Sequence, residues 1–592
     1  MHGFHNRLLR INLEAMDYAE EDLEDGLLRE VLGGKGLGTY LLYKNAPIGV
    51  DPLSPNNPLI FAPGPVSDSI MPGGSRYGVF TKSPLTGFYA ESYAGGNVAP
   101  AMKRTGYDAV VIEGAAKSPV FLEISHRGVR FHDASHLWGA ETYHTQDLVL
   151  REVKQPQAEA IVIGPAGENL VRFACIENNY WRSAGRAGTG AVMGSKKLKA
   201  VVFWGEEHAP MADSTLLLSY VRELKKKGRE DLGVKSYQKV GTPQLVAITN
   251  TRGCFPTRYW QQGQLEQWQE ISGTTLVERY NVKSRSCKGC FMSCGKLLQI
   301  HDGPYKGLRI EGPEYETIYA FGGLCCITTL EAIAYLNDLC DRLGMDTISA
   351  GNLAALAIEA CRRDRLALSL DYGDTEGIAN LLRSASLRQG PGAVIADGII
   401  SASQAWRLEE LAIHVKGLEP AGYDPRVLKG MALSYAVSPR GACHLRSTFY
   451  KLELSGMVPP ETVENKAAKV IELENRLAIF DTLILCRFYR DLVSWTDLAT
   501  IIEATTGMRF SQEELAGIAQ KTIDLTRMFN TREGLKKEHD MIPDRLFAEP
   551  LGPHSLTREE FARMLAEYYE CRGWSTDGMV LHQQDLRNLL KF

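Results

Sequence analysis

The chain changes its hydrophobic period about a third of the way along, and this change limits the fold more than any other feature. Up to about residue 208 the apolar residues fall in short runs: LIFAPG (59–64), AVVIEG (109–114), VFLEIS (120–125), AIVIG (160–164) and KAVVFWG (199–205). These runs are rich in β-formers and bounded by Gly or Pro, the signature of strands. Residues 1–200 hold 24 of the 56 glycines, so this region needs many tight turns or close backbone approaches. After the polar connector GEEHAPMADS (205–214), the spacing becomes helical, as in STLLLSYVRELKKK (214–227) and LEAIAYLNDLCDRLG (330–344). Nearly everything from there to the C-terminus reads as helix. The expected fold is α+β: a β-rich domain over 1–208 and two mainly helical domains over 209–416 and 417–592. The second boundary is placed just before GLEPAGYDPR (417–426). LGGKGLG (32–38) lacks the G-x-G-x-x-G spacing and a clear preceding strand, so it reads as a glycine turn rather than a dinucleotide loop.

The bulk numbers remove several classes of function. The 592 residues carry a formal net charge of −5, with 44% hydrophobic and 23% charged residues. That is an ordinary globular balance without a basic field for nucleic acid. No apolar run reaches the ~18 residues of a membrane helix. The N-terminus has charges where a signal peptide needs an apolar stretch, and the 12 cysteines are spread thinly, so a cytoplasmic location is expected.

Cys287, Cys290 and Cys294 stand at CxxCxxxC in SRSCKGCFMSCGK. One tight loop can present these three thiolates to a single metal centre. Zinc sites usually pair two CxxC hairpins, and there is no second one here. Three close cysteines plus a distant one is a familiar way to hold a [4Fe–4S] cluster, which moves electrons one at a time. The alternative is a set of free or buried thiols.

Several further stretches follow in order: GGSRYGVFTKSPLTGF (73–88), GPAGEN (164–169), WRSAGRAGTGAVMGSKKLKAV (181–201), EGPEYET (311–317), DRLGMDTIS (341–349), YDPR (423–426), RGACH (440–444) and DTLILC (481–486). With CKGCFMSC (287–294) they resemble the tungsten-containing aldehyde:ferredoxin oxidoreductase family nearly end to end. The resemblance implies a β-rich base on which a tungsten (or molybdenum) bis-pyranopterin lies, covered by two helical domains. It implies Cys486 as the fourth cluster ligand beside Cys287, Cys290 and Cys294. Asp341 and Asp481, in two copies of one motif, would each accept hydrogen bonds from a pterin edge, and Asp346 would hold a further pterin polar atom. Arg76, Gly95, Gly96, Arg182, Ser183, Ala184, Gly185, Arg186, Arg440 and Leu485 fall on cofactor-binding positions, where bare backbone N–H and guanidinium groups suit phosphates.

The resemblance also implies Glu316 as the base, with His444 and Tyr423 as donors that polarise a carbonyl. The expected reaction is oxidation of an aldehyde to its acid, with electrons passed to ferredoxin or a small iron–sulfur subunit. The alternatives are a benzoyl-CoA-type ring reductase and a non-catalytic iron–sulfur carrier. Three departures from the family pattern stand out. Tyr93 replaces an asparagine whose carbonyl helps hold Mg2+ between the phosphates, Ile484 replaces a glycine, and Tyr335 and Asp338 occupy positions of an inter-subunit iron site. A homo- or hetero-oligomer would have to form by another device. The remaining cysteines (Cys175, Cys254, Cys325, Cys326, Cys340, Cys361, Cys443, Cys571) read as packing residues, with Cys443 set apart by its neighbour His444.

Overall fold

The computed structural model describes residues 1–591. All five strand-like runs of the first third are strands, and they fall in two six-stranded sheets. The first sheet contains β1 (Arg7–Asn12), β2 (Asp17–Asp22), β3 (Leu59–Ala62), β4 (Tyr77–Lys82), β5 (Tyr89–Ala94) and β6 (Ala109–Glu113) in the order β2-β1-β6-β3-β4-β5. The second contains β7 (Val120–Ser125), β8 (Gly128–Asp133), β9 (Glu159–Val162), β10 (Ile176–Asn178), β11 (Arg182–Ala184) and β12 (Leu198–Trp204) in the order β11-β10-β9-β12-β7-β8. Only β1–β6 and β7–β12 pair in parallel; the other neighbours are antiparallel.

Side chains alternate between faces along a strand, and here both faces are buried. Ile11, Phe61, Val110 and Ile112 of the first sheet meet Leu122, Ile124, Ile161 and Phe203 of the second in one core. The alternate residues Ile60, Phe80 and Val111 pack against Leu37, Tyr40 and Leu41 of the helix Gly34–Asn45. Phe121, Val162 and Val202 pack with Val149 of the helix Thr142–Val153. This explains why strands such as LIFA are apolar throughout rather than alternating.

From Ser214 onward the chain is mainly helical, with one exception. The cysteine loop is closed by a small antiparallel sheet of β13 (Lys283–Arg285), β14 (Gly295–Gln299) and β15 (Arg309–Glu311). A loop that presents three thiols to one centre must begin and end close together, and the pairing of Arg285 with Gly295 achieves this.

The two aspartate motifs end their helices in the same way. Leu330–Leu343 stops at Gly344 (φ 76°), and Lys466–Leu483 stops at Ile484 (φ 60°). In both, the following amide bonds back to the residue before the aspartate: Met345 N to Cys340 O at 2.9 Å and Leu485 N to Phe480 O at 2.7 Å. Ile484 thus adopts the left-handed conformation that glycine favours and a β-branched residue resists.

Each motif end also lies against a glycine that leaves no room for a side chain. A Cβ on Gly164 would come within 2.4 Å of Leu343 O, and one on Gly34 within 2.4 Å of Asp481 O. LGGKGLG therefore seats the Asp481 helix end, as a packing glycine rather than a nucleotide loop.

Among the described residues no helix is long and apolar enough to cross a membrane.

Candidate functional site

Cys287, Cys290, Cys294 and Cys486 line one cavity of about 270 Å³, together with Gly73, Arg76, Tyr93, Gly95 and Arg182. The β13–β14 loop supplies three of the thiols. The fourth arrives because Cys486 N bonds to Gly73 O at 2.9 Å, fixing the end of the 466–483 helix on the β-rich base. Gly96 N donates to Cys287 Sγ at 3.2 Å, and the Tyr489 hydroxyl lies 3.2 Å from Cys290 Sγ. A Cβ on Gly95 would stand 2.8 Å from Cys287 Sγ, so glycine is what lets the loop approach. Burial pushes the Cys290 thiol up to about 11, helped by the neighbouring Cys486, and burial raises Cys294 as well. Among the described residues no three His, Cys, Asp or Glu side chains converge on a point that would hold a single ion. Four thiols lining one cavity are a donor set that fits an iron–sulfur cluster.

A second cavity of about 170 Å³ adjoins the first and shares Trp181, Ser183, Glu311 and Glu314 with it. Its wall contains Gly185, Glu316, Asp341 and Asp346. Glu316 lies in the turn Tyr315–Thr317, which passes into a π-helical segment, Ile318–Gly323, a feature that often marks functional sites. The Oε2 of Glu316 accepts from Gly422 N at 2.9 Å, and its Oε1 lies 3.5 Å from His444 Nε2. Burial pushes the Glu316 carboxyl up to about 7, against the pull of the Gly422 amide and Arg186. His444 is driven well below its ordinary range by burial and by Arg186, Arg440, Arg487 and Arg446, so its imidazole is neutral. Among the described residues, Glu316 Oε1 and His444 Nδ1 both lack hydrogen-bond partners. Tyr423 completes the group: its ring stacks on Tyr450 with centroids 3.9 Å apart and lies 5.9 Å from His444. The three residues expected to carry acid–base chemistry thus come together.

The two aspartates expected to anchor pterins sit in opposite electrostatic settings. Among the described residues, the Asp341 carboxylate has only Asn337 Nδ2 as a hydrogen-bond donor, at 3.0 Å. Burial and the nearby Glu177 raise it well above the usual carboxylate range. Burial also pushes Glu177 itself up to about 8, and its Oε1 has no partner. Asp481 instead accepts from Arg446 Nη1 at 3.0 Å and pairs with Arg487. Glu91 extends that cluster, paired with Lys35 at 3.0 Å and with Arg446. Burial alone would raise Glu91, but Arg446, Lys35 and Arg440 hold it well below the usual range. The Nε atoms of Arg440 and Arg446, and Nη1 of Arg487, remain without partners although buried. Unpaired buried donors on one side and unpaired acid groups on the other are the inventory that a large polar cofactor would satisfy.

The remaining expected residues lie around these cavities. Arg76 Nη2 donates to Tyr93 O at 3.3 Å, so the Tyr93 carbonyl is engaged by an arginine. Arg182 pairs with Glu311, and Ser183 Oγ donates to Glu177 at 2.6 Å. Ala184 is buried at the end of β11, and Gly185 O faces the Cys175 thiol at 3.0 Å. Arg186 Nε meets Asp346 Oδ2 at 2.9 Å, and Arg440 Nη2 meets Cys443 Sγ at 3.0 Å. Leu485 is buried beside the Cys486 turn. Asp346 also caps the helix Thr347–Arg362, accepting from Ile348 N at 3.0 Å. At the departed iron positions, Asp338 pairs with Arg342 at 2.6 Å, and the Tyr335 hydroxyl accepts from Arg383 at 2.6 Å.

Sequence reasoning missed Arg446, Arg487, Glu91, Glu177 and Glu419. Arg446 lies two residues past His444, and Arg487 directly follows Cys486, so motif adjacency could have found both. The glutamates carry no such signal. Cys443 is not a plain packing residue. Burial would raise its thiol, but Arg440 and Arg446 bring it down to about 6.

Known proteins resemble this chain over nearly its whole length. Residues 8–205 match the family model for the aldehyde ferredoxin oxidoreductase N-terminal domain, and 219–589 match the model for domains 2 and 3. The chain belongs to the aldehyde ferredoxin oxidoreductase family. It is 36% identical to tungsten-containing aldehyde ferredoxin oxidoreductases of Pyrococcus furiosus and Thermococcus kodakarensis, covering 98% of this chain and of each relative. It is 30% identical to an aliphatic sulfonate oxidoreductase, WOR-like subunit, of P. furiosus, over 98% of this chain and 96% of that one. Among solved structures, the active site complex BamBC of benzoyl coenzyme A reductase superposes with a TM-score of 0.86 at 23% identity, covering 99% of this chain and 97% of that one. At that identity the likeness speaks for the shared fold. The family's N-terminal domain followed by domains 2 and 3 agrees with the β-rich start and mainly helical remainder expected from the sequence.

Proposed function

We propose that the chain is a tungsten–bis-pterin oxidoreductase that oxidises an aldehyde to a carboxylic acid and passes the electrons to a small iron–sulfur protein. The observation that carries this reading is the shared wall of the two cavities. Trp181, Ser183, Glu311 and Glu314 border both the four thiols and the chamber holding Glu316, so an electron path and an acid–base site are neighbours. When bound, a tungsten–bis-pterin supplies a two-electron acceptor, and a [4Fe–4S] cluster on Cys287, Cys290, Cys294 and Cys486 releases those electrons singly. Asp341, with Glu177, and Asp481, with Arg446 and Arg487, would hold the two pterins. Arg76 and Arg182, in the wall of the cysteine cavity, would neutralise the cofactor's phosphates, and the Tyr93 carbonyl, which already accepts from Arg76, would have one lone pair left for Mg2+.

The protein's own groups handle protons. With its carboxyl near 7, Glu316 is divided between acid and base forms around neutrality, the condition that suits a general base. His444 is neutral, and its free Nδ1 or the Tyr423 hydroxyl can steady a substrate carbonyl oxygen. Tyr315, Tyr423 and Tyr450 are buried and pack ring against ring beside this group.

The partner reading is supported by charge. The helix Ser214–Glu230 packs on the cysteine loop, with Gly228 against Phe291, and Gln238 Nε2 donates to Phe291 O at 2.9 Å. Around this contact Lys225, Lys226, Lys283, Arg285 and Lys288 are all exposed, although the whole chain is net acidic. A basic collar beside the thiols fits an acidic ferredoxin-type acceptor. The deciding experiment is metal analysis of purified protein with a dye-linked screen over aldehydes and aryl-CoA thioesters. Tungsten with aldehyde-dependent dye reduction supports the proposal. Aryl-CoA-dependent activity alone, or iron without tungsten, would replace it.

A further inference from the structure

Ser349 Oγ lies 3.0 Å from Asp346 Oδ2 and 2.6 Å from Glu419 Oε2. A serine hydroxyl has one hydrogen, and an ionised carboxylate has none to give. Both contacts can be hydrogen bonds only if one of the two acids is protonated. The surroundings decide which. Asp346 receives Arg186 Nε at 2.9 Å and Ile348 N at 3.0 Å, donors that favour a charged carboxylate. Glu419 is fully buried, its Oε1 has no partner, and the nearest guanidinium nitrogen, Arg186 Nη2, is 3.9 Å away. Tyr259 and Tyr319 also face it and bring no positive charge. Burial, opposed by the Ser349 hydrogen bond and Arg186, pushes the Glu419 carboxyl up to about 7. The resting arrangement is therefore Glu419 O–H to Ser349 Oγ, and Ser349 O–H to Asp346 Oδ2. Asp346 lines the cavity that holds Glu316, whereas Glu419 stands behind it.

We propose that Glu419, Ser349 and Asp346 form a one-proton switch. The proton sits on Glu419 when the site is oxidised and moves through the Ser349 hydroxyl to Asp346 when electrons enter the site.

The proposal rests on the redox reading above. Oxidation of an aldehyde by water gives a carboxylate, three protons and two electrons. Two electrons arriving in a water-poor chamber bring negative charge that must be offset nearby. The shift does this without proton uptake: the Glu419 O–H bond breaks, the Ser349 hydrogen passes to Asp346, and Ser349 gains the Glu419 proton. Arg186 bridges the switch, so it can turn towards Glu419 as that carboxylate becomes charged. When the electrons leave to the iron–sulfur acceptor, the proton returns. Glu419 thereby acts as a positioning residue, through Asp346 rather than on the substrate.

Reduced-minus-oxidised infrared spectra of the holoenzyme, driven by dithionite, test the switch. The wild type should lose one protonated-carboxyl band and gain another. Glu419→Gln retains a neutral donor to Ser349 but cannot release the proton, so both bands should vanish and the metal centre should become harder to reduce. Dye-linked kcat should fall at least about 10-fold, less than the ~10²–10⁴-fold of a direct acid–base group, with KM unchanged. Ser349→Ala should behave in the same way, and Ser349→Thr, which keeps the hydroxyl, should restore the wild-type spectrum. If Glu419→Gln and Ser349→Ala both leave the carboxyl bands and the reduction potential as in the wild type, the switch is wrong. If one of these variants fails to fold, the other decides by the same readout. Because dithionite drives the spectra, a wild type inactive on aldehydes would overturn the reaction reading and leave this test intact.

Discussion

Glu316 Oε1 and His444 Nε2 stand 3.5 Å apart in a buried chamber, each on a side chain that retains an unpaired polar atom. The two come from motifs 128 positions apart: Glu316 Oε2 accepts from Gly422 N, and Arg186, just past β11, donates to Ala442 O and Glu419 O, tying the loops that carry Gly422 and His444 to the base. The separation is at the limit of hydrogen bonding, which leaves room for both groups to turn to a substrate. Glu316→Gln should therefore reduce aldehyde oxidation by roughly 10²–10⁴-fold while leaving tungsten and iron content unchanged. As base, Glu316 acts in its ionised form, so wild-type kcat/KM should rise with pH through about 7. The Gln variant should lose that limb, and a Gln variant with full activity would exclude Glu316 as the base.

The same carboxyl makes a separate claim on stability. Its folded value of about 7 stands above the ordinary 4.5. A raised carboxyl contributes stability that is fully present below about 4.5 and is lost as pH rises through about 7. Glu316→Gln removes that loss. The cofactor-free variant should melt higher than the wild type at pH 8 and close to it at pH 5. Thermal melts at both values check this, and a variant less stable at pH 8 would contradict it.

How far the sequence could be read depended on whether a residue's role is local. Strands such as Ala109–Glu113 and Leu198–Trp204 were legible because β-rich runs bounded by glycine announce themselves over a few residues. The cysteine loop and the paired aspartate motifs were legible through spacing, and Gly344 and Ile484 do end their helices alike. The small sheet around the cysteine loop was not, because three-residue strands such as Lys283–Arg285 are too short to show a period. Nor were the opposite settings of Asp341 and Asp481. Asp341's depends on Glu177, a carboxylate from a strand far away in sequence whose burial no local pattern reveals, and Asp481's on the convergence of Arg446 and Arg487, which follows from the fold.

That asymmetry separates the two aspartates experimentally. Removing the Asp481 carboxylate leaves Arg446 and Arg487 buried with less counter-charge, and breaking a buried pair typically costs about 3–5 kcal/mol. Removing Asp341 relieves a crowded pair of acids and strands no cation. Asp481→Ala should lower the melting temperature of cofactor-free protein clearly, and Asp341→Ala should change it little. Both should purify with less pterin and tungsten. Equal melting temperatures together with full cofactor occupancy in both variants would remove the anchoring roles.

Cys486 reaches the cavity of the other three thiols from a separate chain segment, held by the hydrogen bond of its N–H to Gly73 O. Cys486→Ala should purify with lowered iron and a lost or altered cluster signal by electron paramagnetic resonance. It should retain secondary structure, since the helix end is fixed by the Leu485–Phe480 backbone bond rather than by the thiol. A normal cluster spectrum in this variant would move the fourth ligand elsewhere.

The basic collar beside the cysteine loop gives the last prediction. Lys225, Lys226, Lys283, Arg285 and Lys288 are exposed on elements that contact the loop carrying three of the thiols. Attraction between such a patch and an acidic partner acts mainly on the encounter rate and is screened by salt, with a Debye length of ~8 Å at physiological ionic strength. Lys225→Glu combined with Lys288→Glu should slow electron transfer to an acidic ferredoxin by about 10-fold or more at low salt. The defect should shrink as salt is raised. Reduction of a small uncharged dye, which needs no docking, should proceed at the wild-type rate. If the double variant and the wild type show the same ferredoxin kinetics across the salt series, electrons leave by another face; if the dye rate falls equally, the substitutions have disturbed the cluster rather than the docking.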